Sequence, residues 1–400
     1  MPPSRLLPLS LLVFAFLLPL KAAAQIYANV QVTGGVSGTF TVTLEHQKAP
    51  GAVANFIGLA TGQHGWLDQA TGAIRYTPFY DGIIFHRVIA GFMNQTGSKA
   101  GDGTDGPGYT FRDEFDATLR HDAAYTVSMA NSGKHTNGSQ FFVTAAATPW
   151  LNDIHTVFGR VTTGTAIIDQ INATPTTADR PLTPISIQSV SIYGPSLAAF
   201  NLDPAWLPKL RNARPILQKS GPTFTLASDR LPFSEYAGWN SPNIAVWAKF
   251  SGTYFGATAP AADLDVTSIS TGPAHYYRLA RVDYSTAKNP FMPPGMGSRS
   301  FTFTSNFFPS SVAFDAAGTG GTWTLQTNPP GNGTIAAVTY TQTPYLPSLY
   351  MRWNSTATYG FDLEFLYKLN YTSANAGTFT GQSNVNGYTN NIVGTFTTLP

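Results

Sequence analysis

The pattern of apolar and polar positions divides this 400-residue chain into three stretches of different character. The first is Leu6 to Leu20, an apolar run behind Arg5 and ahead of the small residues Ala22-Ala23-Ala24. A cationic start, a short apolar centre and a small-residue exit are what a signal peptidase reads, so residues 1–24 are expected to be a signal peptide cut after Ala24. The run holds Pro8 and Pro19 and falls short of the roughly 20 residues that a bilayer span needs. No other stretch approaches that length, so stable membrane insertion of the mature chain is not expected.

The second stretch runs from Gln25 to about Tyr193. Ile26 to Val32 and Gly38 to Leu44 are β-type runs separated by Thr33-Gly34-Gly35, a hairpin signal. Pro50 opens a segment in which Val53, Phe56, Ile57 and Ala60 share one helical face, and Gly62 ends it. Short apolar runs follow at Ile83 to Ile89, Ala124 to Ala130, Gln140 to Thr144, Val157 to Val161 and Ile185 to Ile192, with a second helix expected over Thr165 to Asn172. Many short strands, Gly-rich loops and two helices suggest a closed β-barrel with helical caps. Pro195, Pro204, Pro208 and Pro215 then punctuate residues 194–221, which read as a Pro-rich linker.

Residues 222–400 form the third stretch. Alternation at Phe301-Thr302-Phe303-Thr304, Trp323 to Thr327 and Thr378-Phe379-Thr380, with Asn-Gly and Gly-Gly turns between, predicts an all-β sandwich or barrel. Its aromatics suit core and cross-strand pairs better than a ligand platform, which leaves a carbohydrate-binding or adhesion role as an alternative without support. An outer-membrane barrel would need more regular strands, and the chain ends Thr398-Leu399-Pro400 without the terminal aromatic usual in such barrels.

Composition narrows the function further. A formal net charge of +2 and only 11% charged residues leave no bulk basic charge, so nucleic-acid binding is not expected. There is no cysteine, which excludes a disulfide scaffold, a thiol enzyme and a zinc–thiolate site. An exported protein that leaves its stability to packing alone suits a bacterial route. The sequon Asn94-Gln95-Thr96 lies where a glycan would block the expected active site, and this too favours the bacterial periplasm or exterior over a eukaryotic secretory pathway.

Three blocks carry candidate chemistry: Phe85-His86-Arg87-Val88-Ile89-Ala90-Gly91-Phe92-Met93-Asn94-Gln95; Ser128-Met129-Ala130-Asn131; and Asn137-Gly138-Ser139-Gln140-Phe141-Phe142-Val143-Thr144, followed by Trp150-Leu151-Asn152 and His155-Thr156-Val157-Phe158-Gly159. In order and spacing together they resemble the cyclophilin family of peptidyl-prolyl cis/trans isomerases, over residues 25–193. The resemblance implies an eight-stranded antiparallel barrel capped by two helices, with a substrate groove on its outer wall. It implies Arg87 as the catalytic residue and Phe92, Met93, Phe142 and Leu151 as the pocket for the substrate proline. His86, Gln95, Ala130, Asn131, Gln140, Trp150 and His155 then fall at the groove positions that bind the flanking backbone. Proline-containing peptides and unfolded proteins are the implied partners, and Trp150 at the groove edge implies inhibition by cyclosporin-type cyclic peptides.

The chemistry has its own logic. Amide resonance opposes rotation about an Xaa-Pro bond with a barrier of about 18–20 kcal/mol. As the amide twists, the prolyl nitrogen gains a lone pair to which a fixed guanidinium can donate, and arginine stays protonated throughout. Neither metal nor cofactor is needed, because binding the twisted state better than either planar state is sufficient. His86, His155 and Asp153 could be read as a metal set or, with Ser139, as a triad, but the groove already accounts for them. A module that binds proline peptides without turnover is the remaining competitor, and such a module could dispense with Arg87.

The family pattern is broken in a few places. Ala90 stands where the family commonly has Pro, and Thr96 where a Gly usually follows the Gln, so the loop from Lys99 to Gly108 and the preference for the residue before proline are in question. An insertion between Gly58 and Tyr80, containing Gly65-Trp66-Leu67 and Thr71-Gly72-Ala73, reads as an exposed hairpin or Ω-type loop. Nine basic and 12 acidic side chains in residues 25–193 face 12 basic and nine acidic in the remainder, so weak docking between two separately folded parts is expected, with the second part leaving the groove untouched.

Overall fold

A computed structural model describes residues 25–227, 234–249, 254–256, 264–269, 275–284, 296–305, 309–325, 331–341, 348–354, 363–385 and 388–399. The expected signal peptide lies outside them.

The N-terminal part contains β1 (Ile26–Gly34), β2 (Gly38–Leu44), α1 (Pro50–Thr61), β3 (Trp66–Asp68), β4 (Ala73–Arg75), β5 (Arg87–Ile89), β6 (Met93–Thr96), β7 (Thr126–Met129), β8 (Phe141–Thr144), β9 (Val157–Thr163), α2 (Thr165–Asn172), β10 (Thr176–Thr177), β11 (Arg180–Pro181) and β12 (Ile185–Tyr193). Eight of these strands make one curled antiparallel sheet in the order β12-β1-β2-β9-β7-β8-β6-β5. Residues just before β5 bring the two ends together: Phe85 N–H donates to Ile185 O at 2.9 Å and Ile187 N–H to Ile83 O at 2.8 Å. Alternation does what it promised in β1, where Ile26, Ala28, Val30 and Val32 point into the core while Tyr27, Asn29 and Gln31 point away. The rings of Phe56, Tyr80, Phe141 and Phe158 fill the centre, with Phe56 within 5.2–5.6 Å of the other three.

Helix α1 begins at Pro50 as expected and stops at Gly62, whose φ of 73° supplies the left-handed turn that closes the helix. Its first amides have no side-chain cap of their own. Glu114 reaches in from a distant loop instead, accepting from Gly51 N–H at 3.1 Å and Ala52 N–H at 2.9 Å. The helix is buried on every side because residues 197–207 wrap over it. Leu207 joins the barrel core, Phe200, Leu202 and Trp206 pack against that core, and a Cβ on Gly51 would sit 2.7 Å from the Trp206 ring. The stretch read as a Pro-rich linker thus contains the outer cover of the first module and, beyond it, strand β13 (Lys209–Ala213) and strand β14 (Ile216–Ser220).

The remaining strands are β15 (Thr223–Ala227), β16 (Ser234–Ser241), β17 (Ala248–Lys249), β18 (Tyr254–Gly256), β19 (Leu264–Asp265), β20 (Tyr276–Asp283), β21 (Ser300–Ser305), β22 (Ser310–Phe314), β23 (Gly321–Leu325), β24 (Gly331–Thr341), β25 (Ser348–Trp353), β26 (Leu363–Ser373), β27 (Ala376–Val385) and β28 (Tyr388–Leu399). Strands β13, β20, β16 and β17 form a small sheet with β18 attached, and β14, β15 and β19 form another. From β21 to β28 each strand pairs with the next, and β28 returns to β21 to close a barrel. Aromatics fill it: Trp323 and Trp353 stack at 4.9 Å, and Phe303 lies 5.0 Å from Tyr367. Thr302, Thr304, Thr322, Thr324, Lys368, Thr378 and Thr380 are exposed on its outer face. A lipid-facing barrel requires apolar residues at such positions, so this barrel wall suits water.

The insertion between Gly58 and Tyr80 is a hairpin, β3–β4, but its apolar side is covered. Leu67 is buried with Leu210, Trp239, Ala280, Val282 and Tyr284 of the second sheet. Trp239 Nε1–H donates to Gln69 O at 2.9 Å, and Arg278 Nη1–H donates to Thr71 O at 2.6 Å. Leu67, expected in an exposed loop, packs between the two halves of the chain, while Trp66 is buried in the first core against Phe79.

Candidate active site

Strand register explains how the groove is assembled. Arg87 on β5 faces Gln95 on β6, and Gln95 faces Phe142 on β8, so these three stand in one row across adjacent strands. Because side chains alternate along each strand, their neighbours Val88, Phe141 and Val143 point to the opposite, core side. Asn94 also points inward, donating to Ile168 O at 3.0 Å and accepting from Asn172 at 2.9 Å, which ties the groove strand to α2.

The row is polar at one end and aromatic at the other. Arg87 Nη1–H donates to Gln95 Oε1 at 3.4 Å, Gln95 Nε2–H to Gln140 Oε1 at 3.0 Å, and Gln140 Nε2–H to the carbonyls of Gly103 at 2.9 Å and Asp105 at 2.7 Å. All donors run the same way along this chain, so the amide orientations are fixed by one another. Asp179 sits 3.5 Å from Arg87 Nε, at the turn of the β10–β11 hairpin, with both partners near half exposed. Exposure of that degree makes the pair a weak restraint on the guanidinium.

At the aromatic end Phe142 is buried between two imidazoles. His155 meets it edge-on at 5.5 Å and His121 stacks on it at 6.0 Å. His155 Nδ1 bonds Met129 O at 3.0 Å. His121 was not among the expected groove residues. It is fully buried, and Asn152 Oδ1 accepts from both its backbone N–H at 2.7 Å and its Nδ1 at 3.0 Å, leaving Nε2 to accept from the Ser128 hydroxyl at 2.9 Å. Nothing local in Leu119-Arg120-His121-Asp122 announces this role. The only sequence signal is Asn152, which lies in a quoted block. Burial holds His86, His121 and His155 below the ordinary imidazole range, so each is neutral at neutral pH.

The rim follows. Trp150, 62% exposed on a single turn opened by Pro149, stacks on Phe92 at 6.0 Å. Leu151 O accepts from His155 N–H at 3.1 Å, which sets the two side by side in the same turn. Met93 is buried on β6, one position from Asn94. Asn131 Nδ2–H donates to Ile154 O at 2.9 Å and Ala130 N–H to Gln140 O at 3.0 Å, which fixes both on the cavity side of the groove. His86 is set behind Arg87, only 7% exposed, with both ring nitrogens lacking a protein partner. Thr96, the departure from the family pattern, is buried and donates to Ile84 O at 2.9 Å, stitching β6 to the segment that closes the barrel.

Two regions therefore meet at Arg87 and Gln95. A largely apolar surface is formed by Phe92, Phe142, Trp150 and Leu151 with His155, and a polar cavity of about 670 Å³ is lined by Gln95, Ala130, Asn131 and Gln140 together with the loop from Gly103 to Thr110. A ring can be held in the first and an extended backbone in the second.

Residues 27–192 match the family model described as cyclophilin type peptidyl-prolyl cis-trans isomerase/CLD. A peptidyl-prolyl cis-trans isomerase B of Streptomyces anulatus is 45% identical over 174 residues, which is 42% of this chain and 98% of that protein. A probable peptidyl-prolyl cis-trans isomerase A of Mycobacterium leprae is 47% identical over 158 residues, 39% of this chain and 87% of that protein. The crystal structure of a cyclophilin-type isomerase of Cryptosporidium parvum aligns with a TM-score of 0.37 at 27% identity, covering 42% of this chain and 98% of that one. Since the chain covers 98% of the Streptomyces anulatus relative at 45% identity, it belongs to the cyclophilin family of peptidyl-prolyl cis/trans isomerases.

Proposed function

We propose that the protein isomerises Xaa-Pro bonds in exported, unfolded polypeptides, with Arg87 donating to the prolyl nitrogen of the twisted amide. The observation that carries the reading is the one-way hydrogen-bond chain from Arg87 through Gln95 and Gln140 to the Gly103 carbonyl, beside the aromatic side chains of Phe92, Phe142 and Trp150. A guanidinium has five N–H donors, and Gln95 accepts from one of them while Asp179 is an ion-pair neighbour at 3.5 Å. The rest are available to a substrate without breaking the frame. Proline packs against Phe142, whose tilt His121 and His155 hold, and the preceding backbone lies along Gln95 and Asn131. A donor already in place costs no reorganisation as the amide twists, so it favours the twisted state over both planar ones. Removing one such donor typically lowers kcat by 10²–10³-fold.

Export to a bacterial periplasm or exterior rests on the N-terminal pattern, and binding of cyclosporin-type cyclic peptides rests on the exposed indole of Trp150. The test is a protease-coupled assay of Xaa-Pro peptides with the mature chain, Arg87→Ala and Arg87→Lys. Loss of at least tenfold in Arg87→Ala, with incomplete recovery in Arg87→Lys, is expected. Full activity in a folded Arg87→Ala protein would remove the donor role, and binding of proline peptides without turnover by the parent would leave a binding module.

A further inference from the structure

We propose that the second barrel, β21 to β28, is a binding barrel: its interior receives one small uncharged molecule that has an apolar body and a hydroxyl or carbonyl group, held at Ser310, Trp353, Tyr367 and Ser383. The site is separate from the isomerase groove and independent of the isomerase reading.

Each strand of this barrel pairs with the next until β28 returns to β21, and an eight-stranded closure of that kind encloses either side chains alone or side chains and one small ligand. Ser310, Trp353, Tyr367 and Ser383 are 0% exposed, and Ser310 Oγ, Trp353 Nε1, Tyr367 Oη and Ser383 Oγ have no hydrogen-bond partner among the described residues. All four side chains point inward. Trp353 and Tyr367 belong to the barrel core, Ser383 stands opposite Phe365 of that core and Ser310 opposite Phe303, and residues opposite each other in an antiparallel pair share one face of the sheet.

Comparable groups of this chain are bonded. The Tyr80 hydroxyl donates to Ser139 O at 3.0 Å and the Tyr109 hydroxyl to Asn55 Oδ1 at 2.8 Å. Trp323, whose ring stacks on Trp353, donates from Nε1–H to Thr334 O at 3.1 Å. An unpaired buried polar group costs stability, and four in one barrel would remove a large part of what holds a small domain together, so the interior is built for a partner that the chain itself does not supply.

The chemistry of the interior selects the ligand. Among the described residues no charged side chain of this barrel is buried, and burial pushes the Tyr367 phenol well above its ordinary range, so the lining is neutral and a charged guest would be costly. Rings separate the four polar groups: Trp353 lies 4.3 Å from Phe365, Phe365 5.7 Å from Tyr367, and Tyr367 5.0 Å from Phe303. A water molecule needs about two to four polar partners close together. A molecule with an apolar body instead lies along the rings and offers its oxygen to the indole N–H and the hydroxyls.

The experiment uses the mature chain and three probes of one shape at neutral pH: naphthol, naphthalene and naphthalenesulfonate. Calorimetric Kd and quenching of tryptophan emission are measured with and without an Xaa-Pro peptide. Naphthol should bind, naphthalene at least tenfold more weakly and the sulfonate not at all, and the peptide should leave naphthol in place. Tyr367→Phe and Ser383→Ala each remove a hydroxyl that makes no bond among the described residues, so both should fold. Each should weaken naphthol at least fivefold, leave naphthalene unchanged and keep kcat/KM for the peptide. Ser383→Ala decides alone where Tyr367→Phe fails to fold. No binding of naphthol is the result expected if water alone satisfies the hydroxyls, and it would overturn the proposal. Equal binding of all three probes, displacement of naphthol by the peptide, or undiminished affinity in folded Ser383→Ala would overturn it as well.

Discussion

Gly72 is the position where the join between the two halves can be broken by a single methyl group. It lies at the tip of the inserted hairpin with φ of 67°, and a Cβ there would land within the indole of Trp239. Gly72→Ala therefore imposes a left-handed strain of about 1–2 kcal/mol and a collision that the buried indole has no room to avoid. The hairpin tip must withdraw. Withdrawal removes the neutral bond from Trp239 to Gln69 O, worth about 0.5–1.5 kcal/mol, and the charged bond from Arg278 to Thr71 O, worth about 1.5–3 kcal/mol. Together these two bonds make roughly 2–4.5 kcal/mol of docking energy. Urea unfolding of the mature chain, followed by tryptophan emission and far-UV circular dichroism, is the assay. The parent should lose both signals in a late transition, while Gly72→Ala should show the emission of the Trp239 environment changing at lower urea, before the first barrel melts. A variant that unfolds within about 1 kcal/mol of the parent, with an unchanged emission maximum, would refute the claim that this contact carries the docking.

Further outcomes follow from the same contacts. Burial lowers the folded-state affinity of His64, His86, His121 and His155 for protons, so each contributes stability that is full above the unfolded value of about 6.5 and is lost as pH falls through the folded value. Melting temperature should hold from pH 8 to 7 and drop below about 6.5. Buried Glu114 acts in the opposite sense, its carboxyl being raised by burial, and should soften the decline at the acid end of the range. A melting temperature constant from pH 8 to 5 would contradict this account. His121→Ala leaves the buried Ser128 hydroxyl without its imidazole partner and removes one of the bonds to Asn152, and a stability loss of about 1–3 kcal/mol with a higher KM for proline peptides is expected from denaturation and kinetics. Tyr80→Phe removes the buried bond from its hydroxyl to Ser139 O at 3.0 Å and should cost about 1–3 kcal/mol with kcat/KM unchanged. Trp150→Ala should weaken cyclosporin-type binding at least tenfold in a titration, with little effect on the melting temperature because the side chain is exposed.

The first barrel was legible because alternation and punctuation agree there. Pro50 and Gly62 bracket α1, the run from Ile26 to Val32 alternates cleanly, and Thr165 to Asn172 is the second helix to the residue. Along the groove, blocks of contiguous sequence map onto strands that pair with one another, so Arg87, Gln95 and Phe142 could be named before their register was known. What escaped were partners joined only by long-range packing. His121 is held by Asn152, 31 residues away, and Glu114 caps a helix that begins 64 positions earlier. Neither carries a periodic signal. The linker reading failed for a related reason: four prolines mark departures from regular structure but say nothing of burial, and Trp206 and Leu207 between them are part of the first core. Tyr284 was hidden most fully, since its contact with Thr110 spans 174 positions.

The seam between β28 and β21 sets an order in time. Ser300 pairs with Leu399 and Ser305 with Gly394, so the second barrel stays open until residues 388–399 have been made. Until then β21 and β27 present unpaired edges of the kind that recruit strands from other molecules. The first barrel has no such wait, because its own first and last strands, β1 and β12, meet by Tyr193 and its cover is complete at Leu207. Each newly made chain therefore carries a closed first barrel while nearly 200 of its residues are still to be added, and a ribosome that stalls before residue 388 releases a molecule with that barrel closed and an aggregation-prone tail.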